Sequence, residues 1–288
     1  MNRRTFLQSS VALPAAVGAL AGFSSGKLPE PQGSKALARP RSLERIGVQL
    51  YTVRHLMSSD YEGTIRAVAD AGYDEVETVW DADRNPDDIR ALFDEVGLAA
   101  PSGHVPLGAL QDDLTKVLDA SKRIGHSYIV CPWLDEDQRT MAHYRKYVPF
   151  FNEVGAACKE SGIQFAYHNH EFEFEPAEDG IIPYDFMLAE LDPDLVKMEL
   201  DLYWIAYANR DPVEYFQNYP GHFPLCHIKD MGADREMTPV GEGQIDFTAI
   251  LAESETAGLK HYFVEHDHPG DALASIRTSI AHLRSLEF

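Results

Sequence analysis

Short apolar runs alternate with longer amphipathic stretches from Ile46 to the end of the chain, and this alternation constrains the fold most. The runs have the length of buried strands, and the stretches between them have the apolar spacing of helices, as in 61–72 and 114–125. Several stretches end in glycine just before the next run, which is a common C-terminal stop of a helix. The strand candidates are 46–51 (IGVQLY), 73–78 (YDEVET), 98–104 (LAAPSGH), 127–133 (SYIVCPW), 163–168 (IQFAYH), 196–201 (VKMELD), 223–230 (FPLCHIKD) and 261–267 (HYFVEHD).

Eight strand candidates separated by helical stretches predict an α/β fold, a (β/α)8 TIM barrel, which occupies residues 41–288 as a single domain. A doubly wound parallel sheet is the alternative. That architecture often carries a glycine-rich phosphate loop after a strand, and no candidate strand is followed by one. The segment GEGQ at 241–244 is a weak match that lacks the third glycine. The barrel is therefore the preferred prediction.

Residues 1–40 differ from the rest of the chain. An arginine pair at positions 3–4 precedes an apolar run from Val11 to Ala21, and this pattern resembles a twin-arginine export signal. The run is too short for a membrane-spanning helix, which needs roughly 20 apolar residues. A flexible leader rich in Gly, Ser and Pro follows it up to residue 40. The segment predicts a periplasmic protein that is exported folded and has no stable membrane anchor.

The chain is strongly acidic, with a formal net charge of -21 over 288 residues. This balance argues against a nucleic-acid partner, because too few basic side chains offset repulsion by the phosphates. The 44% of hydrophobic residues is enough for a sizeable core. Three cysteines, irregularly spaced, do not form a disulfide framework.

The segment IQFAYHNHEFEF, residues 163–174, begins as an apolar strand and ends in histidines and carboxylates. Other candidate strands also end in polar residues, and the chemistry of a (β/α)8 barrel gathers at these ends. Buried carboxylates and imidazoles that converge there would repel one another or lack partners without a cation. This mixed ligand set favours one divalent metal, Mn²⁺ first, with Fe²⁺, Co²⁺, Zn²⁺ or Mg²⁺ as alternatives.

Four motifs near the last three strands resemble the xylose isomerase-like TIM-barrel superfamily of sugar phosphate isomerases and epimerases. They are LDLYW (200–204), CHIKD (226–230), GEGQIDF (241–247) and FVEHD (263–267), and the resemblance covers residues 45–288. It implies a metal held by a carboxylate on strand five, an Asp on strand six, a His on strand seven and a Glu on strand eight. Asp201, His227 and Glu265 match the last three positions. Strand five carries His168 where relatives often have Glu, so His168 completes the predicted metal set.

The resemblance also implies roles for residues around the metal. His170 is the predicted proton-relay or substrate residue, although the reverse assignment of His168 and His170 stays open. Glu265 is predicted to act as a base as well as a ligand, and Lys229 to hold a substrate hydroxyl or stabilise an oxyanion. The predicted catalytic residues are therefore Glu265, His170 and Lys229, and the predicted substrate-binding residues are His104, Trp204, Lys229, Glu77 and Gln49.

The implied activity is that of a divalent-metal-dependent sugar isomerase or epimerase, which acts on a keto-sugar through an enediolate by proton transfer. A single carboxylate base also suits β-elimination, so a metal-dependent 3-keto-glycoside lyase or dehydratase is the alternative. A non-catalytic periplasmic sugar-binding barrel is an alternative of another class. An endonuclease IV-type phosphodiesterase is disfavoured by the acidic charge. The expected partner is a small carbohydrate, and a homo-oligomer is open because relatives often form dimers or tetramers.

Overall fold

The computed structural model describes residues 41–177 and 180–288, so the predicted export signal and leader at 1–40 lie outside the described residues. In the described chain eight parallel strands close into a barrel in sequence order, and the last strand pairs with the first. Helices connect the strands along the chain. The predicted (β/α)8 TIM barrel is confirmed. None of the described helices combines the length and apolar character needed to cross a bilayer.

The strands are β1 (Gly47–Gln49), β2 (Glu75–Val79), β3 (Ala99–His104), β4 (Tyr128–Cys131), β5 (Gln164–His168), β6 (Val196–Asp201), β7 (Leu225–Ile228), β8 (Asp230–Met231), β9 (Met237–Thr238) and β10 (His261–Val264). The helices are α1 (Arg54–Met57), α2 (Tyr61–Asp70), α3 (Pro86–Val96), α4 (Leu107–Asp112), α5 (Leu114–Ile124), α6 (Met141–Glu160), α7 (Pro183–Glu190), α8 (Leu202–Tyr207), α9 (Pro212–Asn218), α10 (Phe247–Ala252), α11 (Ser254–Ala257) and α12 (Ala272–Ser285).

Helix ends follow from local sequence. The side chains of Asp60, Asp113 and Asp271 accept backbone N–H groups at the starts of α2, α5 and α12, which is the usual N-cap role. Gly97 and Gly125 end α3 and α5 in the left-handed conformation, which a Cβ atom disfavours. The glycine stops expected from the sequence therefore lie at real helix ends.

Four strands, β1, β4, β7 and β10, end earlier than the apolar runs predict. β1 ends at Gln49, whose side chain accepts the N–H of Tyr51 and begins a 3₁₀ turn. β4 ends at Cys131, just before Pro132, which has no N–H to donate to a ladder. β7 ends at Ile228, and the chain then enters a two-stranded hairpin of β8 and β9 that no sequence pattern predicted.

The barrel interior changes from apolar to polar along the strands. Tyr128, Val130, Ala166, Leu225 and Phe263 form a buried apolar cluster of their own. Because side chains on a strand alternate between its two faces, the residues two positions further on face the same interior. At these positions of β5, β7 and the end of β10 stand His168, His227 and Glu265. The strands thus carry a dense apolar layer beneath a layer of titratable groups.

Candidate metal and substrate site

Two groups of four titratable side chains occupy the carboxyl end of the barrel, and His227 belongs to both. In each group the potential ligand atoms all lie within 4.8 Å of one another. The Glu77 group consists of Glu77, His104, Glu199 and His227. The Asp201 group consists of His168, Asp201, His227 and Glu265, the four residues predicted to bind the metal.

The carboxylate of Glu77, at the centre of the Glu77 group, accepts several hydrogen bonds. The fully buried carboxylate of Glu77 accepts from Gln49 Nε2 at 2.7 Å and from Ser102 Oγ at 2.5 Å. Nε2 of His227 lies 2.7 Å from the same carboxylate. Because an ionised carboxylate can only accept, Nε2 of His227 carries a proton. Glu77 therefore orients the imidazole of His227 from behind.

His104 balances the charge of the Glu77 group. Its Nε2 lies 2.8 Å from Glu199 Oε2 and 3.1 Å from Glu77 Oε2. Burial would lower the pKa of His104, but Glu77 and Glu199 outweigh it and raise the pKa to about 9. Burial and the nearby charge of Glu77 raise the pKa of Glu199 to about 7. An imidazolium between two carboxyl groups leaves this group with no need for a further cation.

The imidazole of His168 is arranged differently. Its Nδ1 lies 3.1 Å from the carbonyl oxygen of Pro132, which can only accept, so Nδ1 carries the proton. Burial, with the nearby charge of His227, lowers the pKa of His168 to about 4 and keeps the ring neutral. The lone pair of Nε2 then points toward Asp201 Oδ2, 3.3 Å away. Two electron-pair donors therefore face each other, as they do around a bound metal.

The second ring nitrogen of His227, Nδ1, also faces carboxylates. Nδ1 lies 2.8 Å from Glu265 Oε2 and 3.6 Å from Asp201 Oδ2. It is buried and has no hydrogen-bond partner of acceptable geometry among the described residues. Burial would lower the pKa of His227, but Glu199 and Glu265 outweigh it and raise the pKa well above its usual value. The surroundings of this nitrogen thus favour a cation, either a proton or a metal ion.

Once a metal ion displaces the proton of His227 Nδ1, two imidazole nitrogens and two carboxylates form a donor set that fits a divalent transition metal. The orphaned Nδ1 of His227 and the lone pair of His168 both point into the Asp201 group. The protonated Nε2 of His227 is held by a carboxylate, which is the outer-shell contact typical of metal-binding histidines. By geometry the Asp201 group is the better metal site of the two.

Lys229 places an ammonium beside the Asp201 group. Its Nζ lies 3.0 Å from Asp201 Oδ2 and 2.7 Å from Glu265 Oε2. A third carboxylate, Asp267, is 3.0 Å away. Burial would lower the pKa of Lys229, but these carboxylates outweigh it and hold the pKa well above its usual value. Lys229 therefore remains a cation at the edge of the site.

Asp201 is fixed by the start of α8. Its Oδ1 accepts the N–H groups of Tyr203 at 2.9 Å and Trp204 at 3.0 Å. The backbone N–H of Asp201 donates to Asn169 Oδ1 at 3.0 Å. These contacts leave only Oδ2 directed toward His168 and Lys229, so the carboxylate is held in place before any ligand binds.

A cleft of about 560 Å³ lies over the Asp201 group. The predicted residues His104, His168, His170, Trp204, Lys229 and Glu265 line it. The ring of His170 lies 4.9 Å from that of His168, and its Nδ1 has no hydrogen-bond partner among the described residues. Trp204 Nε1 likewise lacks one. Unpaired polar atoms beside a cleft favour a polar ligand, because buried donors and acceptors are normally satisfied.

Gln49 and Glu77, predicted to bind substrate, are not among the described residues that line the cleft. Both are fully buried and hydrogen-bonded to each other. Their register on neighbouring strands, Gln49 opposite Glu77, places Gln49 next to the Glu77 group. The structure gives them a supporting position instead of a substrate contact.

Several cleft residues were not assigned a role from the sequence. Trp133, the last residue of the strand candidate 127–133, lines the cleft, as do Tyr51 and His268. Pro132 and Trp133 directly follow β4, so the strand-end rule could have indicated them. Asp267 also lines the cleft, and its ion pair with Lys229 has no counterpart in the motif resemblance.

Glu173, one of the carboxylates that ends IQFAYHNHEFEF, points away from the metal group. It accepts from Tyr167 Oη at 2.5 Å and from the N–H of His170 at 2.8 Å. These hydrogen bonds lower the pKa of Glu173, but burial outweighs them and raises it to about 8. Glu173 thus holds the loop that carries His170.

Comparisons with known proteins agree with the barrel fold. The family model described as xylose isomerase-like TIM barrel matches residues 65–286. An inosose dehydratase of Clostridium perfringens is 22% identical over 89% of this chain and 82% of its own length. The crystal structure of a sugar phosphate isomerase/epimerase from Parabacteroides distasonis is 25% identical, with a TM-score of 0.73 over 88% of this chain and 96% of that one. The IOLI protein, crystallised with a zinc atom, has a TM-score of 0.66 at 17% identity over 82% and 95% of the two chains.

Proposed function

The chain belongs to the xylose isomerase-like TIM barrel family, and from this premise we propose that it is a metal-dependent enzyme acting on a keto-sugar. It removes the proton on the carbon next to the carbonyl and then eliminates an oxygen substituent from the following carbon. The observation that carries the proposal is the Asp201 group, in which the Nε2 lone pair of His168, Nδ1 of His227 and two carboxylates converge around a position that favours a cation.

The residues that would hold the metal are His168, Asp201, His227 and Glu265. Mn²⁺ is the proposed ion, with Fe²⁺, Co²⁺, Zn²⁺ or Mg²⁺ as alternatives. Bound there, the metal would supply positive charge to the carbonyl oxygen and so acidify the adjacent carbon–hydrogen bond. Lys229 adds a second fixed charge 2.7 Å from the Glu265 carboxylate, where it stabilises negative charge on the substrate oxygen.

His170 is the proposed base. It lines the cleft beside His168, and the hydrogen bond from its backbone to Glu173 fixes its position. Its imidazole takes the α-proton, and the electron pair of that carbon–hydrogen bond becomes the double bond of the enolate. When the enolate re-forms the carbonyl, the β carbon–oxygen bond breaks and the leaving oxygen takes up a proton. The reaction is redox-neutral and releases water or an alcohol.

The residue at the end of β5 favours elimination over epimerisation. Epimerisation by two bases needs a second group that returns a proton from the opposite face, and His168 stands where relatives often have that carboxylate. Its Nδ1–H is engaged by Pro132 and its Nε2 faces the metal group. The curated relative at 22% identity is a dehydratase. Epimerisation or isomerisation remains the second candidate, because Glu265 also lines the cleft and the relative from Parabacteroides is a sugar phosphate isomerase/epimerase.

The charges of the cleft favour an unphosphorylated substrate. Among the described lining residues Lys229 is the one lysine or arginine, and three carboxylates already pair with it. Glu171 adds a further negative charge along the same lining. A phosphate group would meet repulsion there without an arginine to bind it.

We further propose that the protein reaches the periplasm folded, through the arginine pair at positions 3–4. Replacing both arginines with lysine is expected to retain the protein in the cytoplasm. Cell fractionation measures this, with a conservative change in the leader as the control. Unchanged export of the double variant would contradict the proposal.

The decisive experiment combines metal analysis with proton exchange. The mature protein is purified, its metal content is measured, and it is incubated with a keto-sugar and a cyclic keto-polyol in heavy water. We expect about one ion per chain, deuterium on the α-carbon of recovered substrate and an unsaturated ketone as product. An epimer labelled at the same carbon would select the second candidate. No exchange in protein reconstituted with each of the five metals would overturn both and favour a sugar-binding barrel.

A further inference from the structure

Aromatic rings continue outward from the Asp201 group along one wall of the cleft. The ring of Trp204 lies 5.4 Å from that of His170, which in turn lies 4.6 Å from Trp133. Phe172 stacks on His170 at 5.6 Å and meets Trp133 edge-on at 5.4 Å. A single sugar ring held at the metal group covers only the inner part of this wall.

The indole of Trp133, at the outer end of this wall, is held in place although it is exposed. Trp133 is 43% exposed, yet its Nε1–H donates to Asp135 Oδ1 at 3.2 Å. The guanidinium of Arg139 covers its ring at 4.3 Å and that of Phe172 at 3.6 Å, and Arg139 is itself bonded to the carbonyl of Leu134. A large aromatic side chain that is fixed but left open to solvent is typical of a binding surface.

The opposite rim of the cleft is also apolar. Tyr51 and Val79 are each 39% exposed and line the same cleft, and Trp80 lines it beside them. The guanidinium of Arg54 stacks on the Tyr51 ring at 3.8 Å, which fixes that ring as well. The cleft therefore has a polar, charged floor and an aromatic mouth, and its volume of about 560 Å³ is within the range of about 300–1,000 Å³ that encloses drug-sized ligands.

We propose that the substrate is a glycoside with a second, uncharged ring, and that Trp133 binds this ring while the keto-sugar ring occupies the metal group. The inference rests on the proposed function and names the group that leaves. If the carbonyl lies two carbons from the anomeric carbon, the α-carbon lies between them. Loss of the α-proton then breaks the bond between the anomeric carbon and the glycosidic oxygen. The second ring departs as an alcohol or phenol once that oxygen is protonated, and no oxidant or reductant is needed.

The test compares the phenyl and methyl glycosides of one 3-keto-sugar on the wild type and on Trp133→Ala. We expect the variant to raise KM for the phenyl glycoside about tenfold, in line with the loss of one ring–ring contact. KM for the methyl glycoside stays unchanged, and Trp133→Phe restores most of the phenyl preference. Because each compound is compared with itself across variants, the different leaving groups cancel.

Tyr207→Ala is the matched control. Tyr207 is 37% exposed and lies under the guanidinium of Arg235 at 4.4 Å, as Trp133 does under Arg139, but it does not line this cleft. Because Tyr207 also meets the Trp204 ring edge-on at 5.7 Å, its replacement should affect the two glycosides equally and leave the phenyl preference unchanged. Equal losses on both glycosides in Trp133→Ala, or no loss on either, would overturn the second-ring inference.

Binding separates this inference from the proposed function. The three tryptophans of the sequence, Trp80, Trp133 and Trp204, all line the cleft, so intrinsic fluorescence reports on its occupancy. If the wild type turns over neither glycoside, the same two compounds are titrated by fluorescence. Tighter binding of the phenyl glycoside that disappears in Trp133→Ala supports the second-ring site even when the proposed reaction fails. Equal binding of the two compounds counts against it.

Discussion

The two sides of His227 differ in how their charges are satisfied. On the Nε2 side, Glu77 receives hydrogen bonds from several donors, and His104 provides a positive charge between two carboxyl groups. On the Nδ1 side, the carboxylates of Asp201 and Glu265 face His227 Nδ1, which favours a proton or a metal ion, and the Nε2 lone pair of His168, with Lys229 at the edge. Side chains of the same types therefore form a largely hydrogen-bonded support on one side, where Glu199 Oε1 lacks a partner among the described residues, and an open ligand set on the other.

The change with the largest expected effect is Asp201→Asn. The amide keeps an oxygen for the N–H groups of Tyr203 and Trp204, so α8 retains its cap, but the set loses its charged ligand. We expect loss of bound metal and a fall in turnover of about a thousandfold or more. Elemental analysis and kcat measure this, with circular dichroism to verify folding. Full metal retention in the folded variant would show that the Asp201 group is not the site.

Glu173 is a buried carboxyl that belongs to neither the Glu77 group nor the Asp201 group, so it can be compared with both. Its pKa is about 8 in the folded protein against an ordinary value of 4.5, so the folded state holds a proton that the unfolded state has released. This stabilisation is complete below pH 4.5 and is lost as the pH rises toward about 8, by a few kcal/mol. Glu173→Gln, which stays neutral, should lose this pH dependence in urea titrations. Parallel curves for the two proteins would contradict the assignment.

Glu77→Gln tests whether the Glu77 group affects metal binding by the Asp201 group. The amide cannot act as a negatively charged acceptor for His227 Nε2, so the ring is held less firmly and becomes less basic. Metal affinity is expected to fall about 10–100-fold, as for other outer-shell partners of ligating histidines. Competition with a coloured chelator measures the affinity. An unchanged affinity would mean that the two sides of His227 act independently.

Glu199→Gln is expected to have the smallest effect. The pKa of Glu199 is already raised to about 7, so a neutral amide resembles the protonated form that is present near that pH. Metal affinity should stay within a few-fold of the wild type and unfolding free energy within about 1 kcal/mol. A loss as large as that of Asp201→Asn would move the metal site to the Glu77 group.

The strand ends of the sequence were sufficient to predict the fold and to bring His168, Asp201, His227 and Glu265 together. Each of these residues stands at the end of a strand with regular alternation, so the barrel closure alone makes them neighbours. Depth within the barrel was not predictable in the same way. Gln49 and Glu77 were expected to touch substrate, but strand register places them beneath the cleft.

The positions of loop residues in the site were harder to predict from the sequence than those of strand residues. Trp133 follows β4, but no periodicity determines the direction of a side chain in a loop. Its position depends on contacts with Asp135 and Arg139, which are visible only in three dimensions. The β8–β9 hairpin was missed for a similar reason. Asp230 accepts N–H groups from Gly241 and from Ile245, and this folds the loop back in a way that no local pattern predicts.

The carboxylate of Asp201 begins α8 with one oxygen and faces the ligand set with the other. Because α8 presents Trp204 to the cleft, a substitution at position 201 that removes both oxygens alters the metal site and the inner aromatic wall at once. Mutational drift at this position is therefore constrained by two independent requirements. A relative whose residue at this position has no side-chain oxygen is expected to have rebuilt the following helix as well, and to have changed its sugar preference together with its metal.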